Sequence, residues 1–230
     1  SLFLKLLDKN WEYVLTCLPG NMKALENNKF FGLASDNEQG RLEAVKFYKK
    51  ASEVVRKINN YFKSKKVINI AIATSPSLKY DGVLSSSQSL KKSLIEISKF
   101  DWDGAKLNIE HCDSGRVKNP VKGFLDIDEE IEAILEVNRT YNLNIGITIN
   151  WARSVIEYKD TNGALKHIKK AKENNLLKGL IFSGTSDKES LYGKWSDLHL
   201  PIAKEANIKY FESTSLLNKI NIKNSLISSE

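Results

Sequence analysis

The residues with the most chemistry to offer stand at the end of one short apolar run. Leu107, Asn108 and Ile109 lead into Glu110, His111, Cys112 and Asp113, four consecutive side chains that can titrate or ligate a metal. The pattern recurs downstream. Ile145 to Ile149 runs into Asn150, Trp151, Ala152 and Arg153, and Gly179 to Phe182 runs into Ser183, Gly184, Thr185 and Ser186. Ile208 to Phe211 then runs into Glu212. A strand that delivers polar side chains into a loop at its carboxyl end is how a parallel α/β protein presents a site.

Each residue type suggests a role and has a plainer alternative. Glu110 at a strand end suits proton transfer. His111 follows it directly and should face the other side of the strand, where it contacts substrate or packs against a helix. Cys112 is a small buried apolar residue or a nucleophile. Asp113 binds a ligand or pairs with Arg116. Arg153 clamps a carboxylate or phosphate, or pairs with Glu110 or Glu157. Asn150, Trp151 and Ser183 are candidate substrate contacts by position. Ser183 opens a Gly/Ser loop after the penultimate strand, where barrels often hold phosphate. Tyr192 and Trp195 lie in one loop with Asp197 and His199, and aromatic rings beside polar groups suit sugar stacking or a loop folded on itself. His167, on a lysine-rich helix, reads as a solvated surface residue.

The elements that must position these groups alternate. Strands are expected at 11–17, 67–73, 107–111, 145–149, 179–182 and 208–211, from β-branched and apolar runs closed by turn residues. The 67–73 run is nearly all apolar, as a strand buried on both faces should be. Helices are expected at 41–62, 87–99, from Asp126 to Asn142, and at 162–175, from apolar residues three and four apart. Residues 2–9 resemble the tail of a helix. Ser85, Ser86 or Ser87 caps the second helix, and Asp126 with Glu129 has capping-box spacing. Residues 21–40 form a long connection that carries short helical turns or covers a site. The segment after 212 reads as a polar tail. Six strands alternating with helices predict a mostly parallel sheet, either doubly wound or a partial barrel.

The 230 residues suit one α/β domain, taken as 1–230. Hydrophobic residues make up 41% and charged residues 27%, ordinary for a globular protein. No apolar run approaches the roughly 18 residues of a membrane span, and no signal peptide is recognised, so a cytoplasmic, reducing location with no membrane partner is expected. The net charge of +7 is spread over every helix, which favours solvation over a nucleic-acid surface. Walker, GxGxxG, GxSxG and zinc-finger patterns are absent.

Five motifs carry a resemblance across nearly the whole chain. They are Leu15-Thr16-Cys17-Leu18-Pro19-Gly20, Phe31-Gly32-Leu33-Ala34-Ser35, Glu110-His111-Cys112-Asp113, Ile149-Asn150-Trp151-Ala152-Arg153-Ser154, and the run from Tyr192 to Pro201. Together they resemble an uncharacterised bacterial family, a domain of unknown function placed in the xylose-isomerase-like TIM-barrel superfamily. The resemblance implies a (β/α) TIM-barrel-like fold with about six of eight β/α units, the first two lacking. It also implies a divalent metal (zinc, manganese or cobalt) held by Glu110, Asp197, His199 and Glu212. Glu110, Glu212 and Arg153 would then be the catalytic set. The sequence departs from the superfamily pattern at Asn150, where an Asp is usual, at Arg153, where some members have a His, and at Ser183, where a His is usual; the residue types present ligate weakly or not at all.

Three functions follow from these readings. The first is an isomerase or epimerase acting on a sugar or sugar phosphate. The second is a metal-free carbohydrate-binding or regulatory barrel. The third is an endonuclease IV-like enzyme, disfavoured because that chemistry needs several histidines and the chain has three. An open barrel exposes two edges, so association into a homo-oligomer is also expected.

Overall fold

The computed structural model describes residues 2–205 and 207–230. Five strands form one parallel sheet: β1 (Tyr13–Thr16), β2 (Val67–Ile72), β3 (Lys106–His111), β4 (Gly146–Asn150) and β5 (Leu177–Ile181). Their spatial order is their chain order, β1-β2-β3-β4-β5, with every neighbouring pair parallel. A doubly wound sheet reverses its strand order part-way and this one does not, so the winding is that of a barrel. The sheet curls into a half-barrel.

The helices cover its outer face. They are α1 (Leu2–Leu6), α2 (Leu18–Asn27), α3 (Glu38–Phe62), α4 (Ser87–Ser98), α5 (Ile127–Tyr141), α6 (Trp151–Tyr158), α7 (Asn162–Glu173) and α8 (Lys219–Ser229). Strand alternation sends Ile70, Ile72, Leu107, Ile109, Ile147 and Ile149 outward, all buried in the main core. From α3, Ala44, Val45, Tyr48, Val55 and Ile58 meet them at helical spacing. Caps set the helix boundaries. Asn37 accepts from Gly40 N, Ser86 from Ser89 N, and Asp126 from Glu129 N, satisfying amides that a first turn leaves orphaned. Asn142 ends α5 in the left-handed region at φ 52°.

Three expectations change. There are five strands among the described residues, and 208–211 is irregular, with a bend at Lys209 and Tyr210, not a sixth strand. Tyr210 is 76% exposed and Phe211 also faces solvent, so this apolar run lacks a layer to bury it. The 67–73 run is not buried on both faces: Ile68 and Asn69 border the open concave side. The polar tail folds as α8, capped by Asn218.

The connection before α3 does cover the strand ends. Leu33 and Ala34 are fully buried, and Ala34 N donates to Ser75 O. Gly32 is required there, because a Cβ would lie 1.9 Å from the Ser75 carbonyl oxygen. No helix among the described residues is long and apolar enough to cross a membrane.

Candidate functional site

The concave face of the sheet is open, and its lining mixes polar side chains with a larger share of apolar ones. Asn69, Asn108 and Thr148 line a cavity of about 640 Å³ with Val14, Gly179 and Ile181. Asn108 bridges strands by donating to Asn69 Oδ1 and accepting from Gly146 N.

At the carboxyl edge of this face sits Glu110, next to last in β3 and buried. Arg153 Nη1 donates to its Oε1 at 2.5 Å and Asn150 Nδ2 to the same atom at 3.2 Å. Thr16 Oγ1 donates to Oε2 at 3.3 Å. Thr16 ends β1, so this bond skips β2 altogether, which the curl of the sheet allows. Three donors converge on a group that only accepts when ionised.

Arg153 is the hub. It lies in the first turn of α6, which begins directly after β4 with Asn150 as its cap. Besides Glu110, its Nε donates to Asp197 Oδ2 at 3.1 Å and its Nη1 reaches Cys112 Sγ at 3.4 Å. Burial works against the charge, but Cys112, Glu110 and Asp197 raise the guanidinium pKa above its ordinary value. Lys122 Nζ lies 3.3 Å from the same Asp197 oxygen. The other oxygen, Asp197 Oδ1, is buried and has no hydrogen-bond partner.

Asn150 uses both ends of its amide. Its Nδ2 faces Glu110, while its Oδ1 accepts from Ser183 Oγ at 3.1 Å and caps α6. An aspartate has no donor for Glu110 and would set a second carboxylate against it.

The nominated residues divide. Glu110, Arg153, Asn150, Ser183 and Asp197 come together, joined by Thr16 and Lys122, which the sequence reading did not nominate. Thr16 was visible as the polar end of the first strand. Lys122 was not, because a loop residue's reach depends on the loop's path. Asp113 sets that path. It pairs with neither Arg116 nor the site, but accepts from the backbone of Val121, Lys122 and Gly123, while Arg116 binds Asp126 and Glu129.

Trp151 is turned into a small core with Val155, Ala164 and Leu217, against which Trp195 also packs. Tyr192 has no side-chain hydrogen bond to the site residues, its amide bonding Ser190 within the loop. The Ser183–Ser186 loop is committed to its neighbours. Gly184 N donates to Leu200 O, and a Cβ there would lie 2.4 Å from that oxygen. Burial pushes the Cys112 thiol far up, opposed by Arg153, and lifts Cys17 to about 12. Neither is built as a nucleophile.

The metal set implied by resemblance does not fit this geometry. His199 is exposed. Glu212 Oε1 accepts from Thr214 N and Oγ1 within its own turn. Between Glu110 and Asp197, where a cation would sit, the Arg153 guanidinium already binds both.

His111 does face away from Glu110, as alternation requires. His167 corrects the sequence reading: it is fully buried, edge-on to His111 with ring centres 4.5 Å apart. Helix α7 turns that position inward, against the sheet. His111 Nδ1 lies 2.8 Å from Glu130 Oε2, and Glu157 lies beside both imidazoles. Burial alone would depress both rings. Glu130 and Glu157 overcome it at His111, raising it to about 10, whereas His167, further lowered by His111, falls to about 4.

The family described as a domain of unknown function, DUF4862, matches residues 2–229. The chain belongs to that family. Uncharacterized protein STM3670 of Salmonella typhimurium is 36% identical to it over 194 residues, covering 84% of this chain and 60% of that protein. The DUF4862 chain thus spans less than two thirds of that relative's length.

Proposed function

We propose that this DUF4862 chain is a xylose-isomerase-like barrel that acts on a sugar or sugar phosphate by proton transfer, with its site at the Glu110–Arg153 edge. The observation that carries the reading is Asp197 Oδ1, a buried carboxylate oxygen with no partner, beside a carboxylate and two cations. Buried acceptors are nearly always satisfied, so this one awaits a donor, and a substrate hydroxyl supplies it. The sequential parallel winding supports the superfamily assignment by analogy.

In this reading Glu110 takes a proton from the hydroxyl-bearing carbon next to a substrate carbonyl, giving an enediolate. It returns the proton to the other face of that carbon (epimerisation), or to the neighbouring carbon while the hydroxyl proton passes from one substrate oxygen to the other (isomerisation). Arg153 and Lys122 offset the negative charge that develops on oxygen. Asn150 and Thr16 hold Glu110 in place. No step passes through a metal.

The second reading is a carbohydrate-binding barrel without catalysis, favoured by the tight Arg153–Glu110 pair. Thermal shift against a panel of sugars and sugar phosphates identifies a ligand. Solvent deuterium incorporation into that ligand, followed by NMR, then separates the two readings. Incorporation that Glu110→Gln abolishes, with affinity held within a few fold, supports the enzyme. Binding without incorporation supports the binder, and no binding across the panel overturns both.

A further inference from the structure

The geometry points to a binding site for one divalent transition-metal ion of the zinc class on the outer face of the sheet, held by His111, His167 and Glu157. It stands apart from the Glu110 edge, beneath the helices rather than inside the barrel. His111 ends β3, Glu157 lies on α6 and His167 on α7. Their ligand atoms all lie within 4.8 Å of one another.

Two independent features favour an ion. First, the Nε2 atoms of His111 and His167 are buried and neither has a hydrogen-bond partner. Both face Glu157, at 3.4 Å from Oε2 and 3.5 Å from Oε1 respectively. With metal–ligand bonds of about 2.0–2.2 Å, tetrahedral donors lie about 3.3–3.6 Å apart. These separations are long for hydrogen bonds and suited to the edges of a coordination shell.

Second, the outer partners of a metal site are present. His111 Nδ1 is held at 2.8 Å by the Glu130 carboxylate, so when an ion displaces the ring's other proton it is Nε2 that presents the lone pair. Glu130 is fixed in turn by Thr74 Oγ1 at 2.6 Å. His167 Nδ1 meets Ser154 Oγ at 2.9 Å. A carboxylate or hydroxyl behind each ligating imidazole is the usual support of such sites. Charge agrees as well: a divalent ion balances the buried Glu130 and Glu157 carboxylates. Two imidazoles and a carboxylate suit zinc or a neighbouring first-row ion. Bound there, the ion ties β3 to α6 and α7.

Protein stripped with chelator, then dialysed against zinc and freed of excess, should retain one equivalent per chain by elemental analysis. At free zinc a hundredfold above Kd, its melting temperature should rise by about 5–10 °C. Glu157→Gln and His167→Gln should each lose the equivalent and the shift, whereas His199→Gln should keep both. X-ray absorption on the zinc-loaded parent protein should show two imidazoles per zinc, a reading that needs no variant to fold. No retained zinc, zinc that survives both variants, or a shell with fewer than two imidazoles overturns the site. None of these outcomes bears on the sugar reading at Glu110.

Discussion

Replacing Arg153 with Met tests the construction of the site directly. The exchange nearly conserves volume and removes only the charge and its donors. It leaves two carboxylates facing each other, with side-chain exposures of 7% for Glu110 and 3% for Asp197. Breaking a buried pair by removing one partner costs about 3–5 kcal/mol. Glu110 keeps the neutral donors Thr16 and Asn150, and Asp197 keeps Lys122, so the lower end of that range applies. At about 2–4 °C per kcal/mol for a chain of this size, a loss of about 3 kcal/mol lowers the melting temperature by about 6–12 °C. Urea titration gives the free energy itself. The double variant Glu110→Gln, Arg153→Met no longer buries the uncompensated Glu110 charge, and should recover about 2 kcal/mol of the loss. A melting temperature for Arg153→Met within about 2 °C of the parent would show that Arg153 is not the hub. Strict additivity in the double variant would show the same.

Asn150→Asp should cost about 1–3 kcal/mol in urea unfolding, because Glu110 loses a donor and gains a like charge beside it. Gly32→Ala should lose about 3 kcal/mol or fail to accumulate as folded protein, since its Cβ would fall 1.9 Å from the Ser75 carbonyl oxygen; circular dichroism and expression level check this. Burial lifts Cys17 to about 12 and Cys112 higher, so below those values the native thiols stay protonated. Ellman's reagent at pH 8 should therefore titrate both only after denaturation, and fast reaction of either in the native protein would contradict the burial.

Much of this molecule is local, and what is local was legible. The capping signals at Ser86 and Asp126 are interactions within one turn, so their residues announce them. Helix periodicity in α3 and α5 and the apolar runs of β2 to β5 are of the same kind. The opposed directions of Glu110 and His111 follow from strand alternation alone. Even α6, which was missed, left a trace in Trp151 and Val155 four apart behind the cap Asn150.

What the sequence could not decide depends on which surfaces meet. An apolar run becomes a strand only if a sheet edge receives it, and 208–211 finds none, although its composition matches β5. A histidine among lysines looks solvated until the helix bearing it is docked, and α7 docks with His167 inward, on Glu157 and His111. The partners of Arg153 are 43 and 44 residues away in opposite directions along the chain, and the curl of the sheet brings Thr16 to Glu110 over a separation of 94. By residue type and spacing, the sequence alone determined β1 to β5, the caps at Ser86 and Asp126 and the strand-end Glu110. The tertiary structure decided which charges confront one another, because that is set by distances through space that no local pattern encodes.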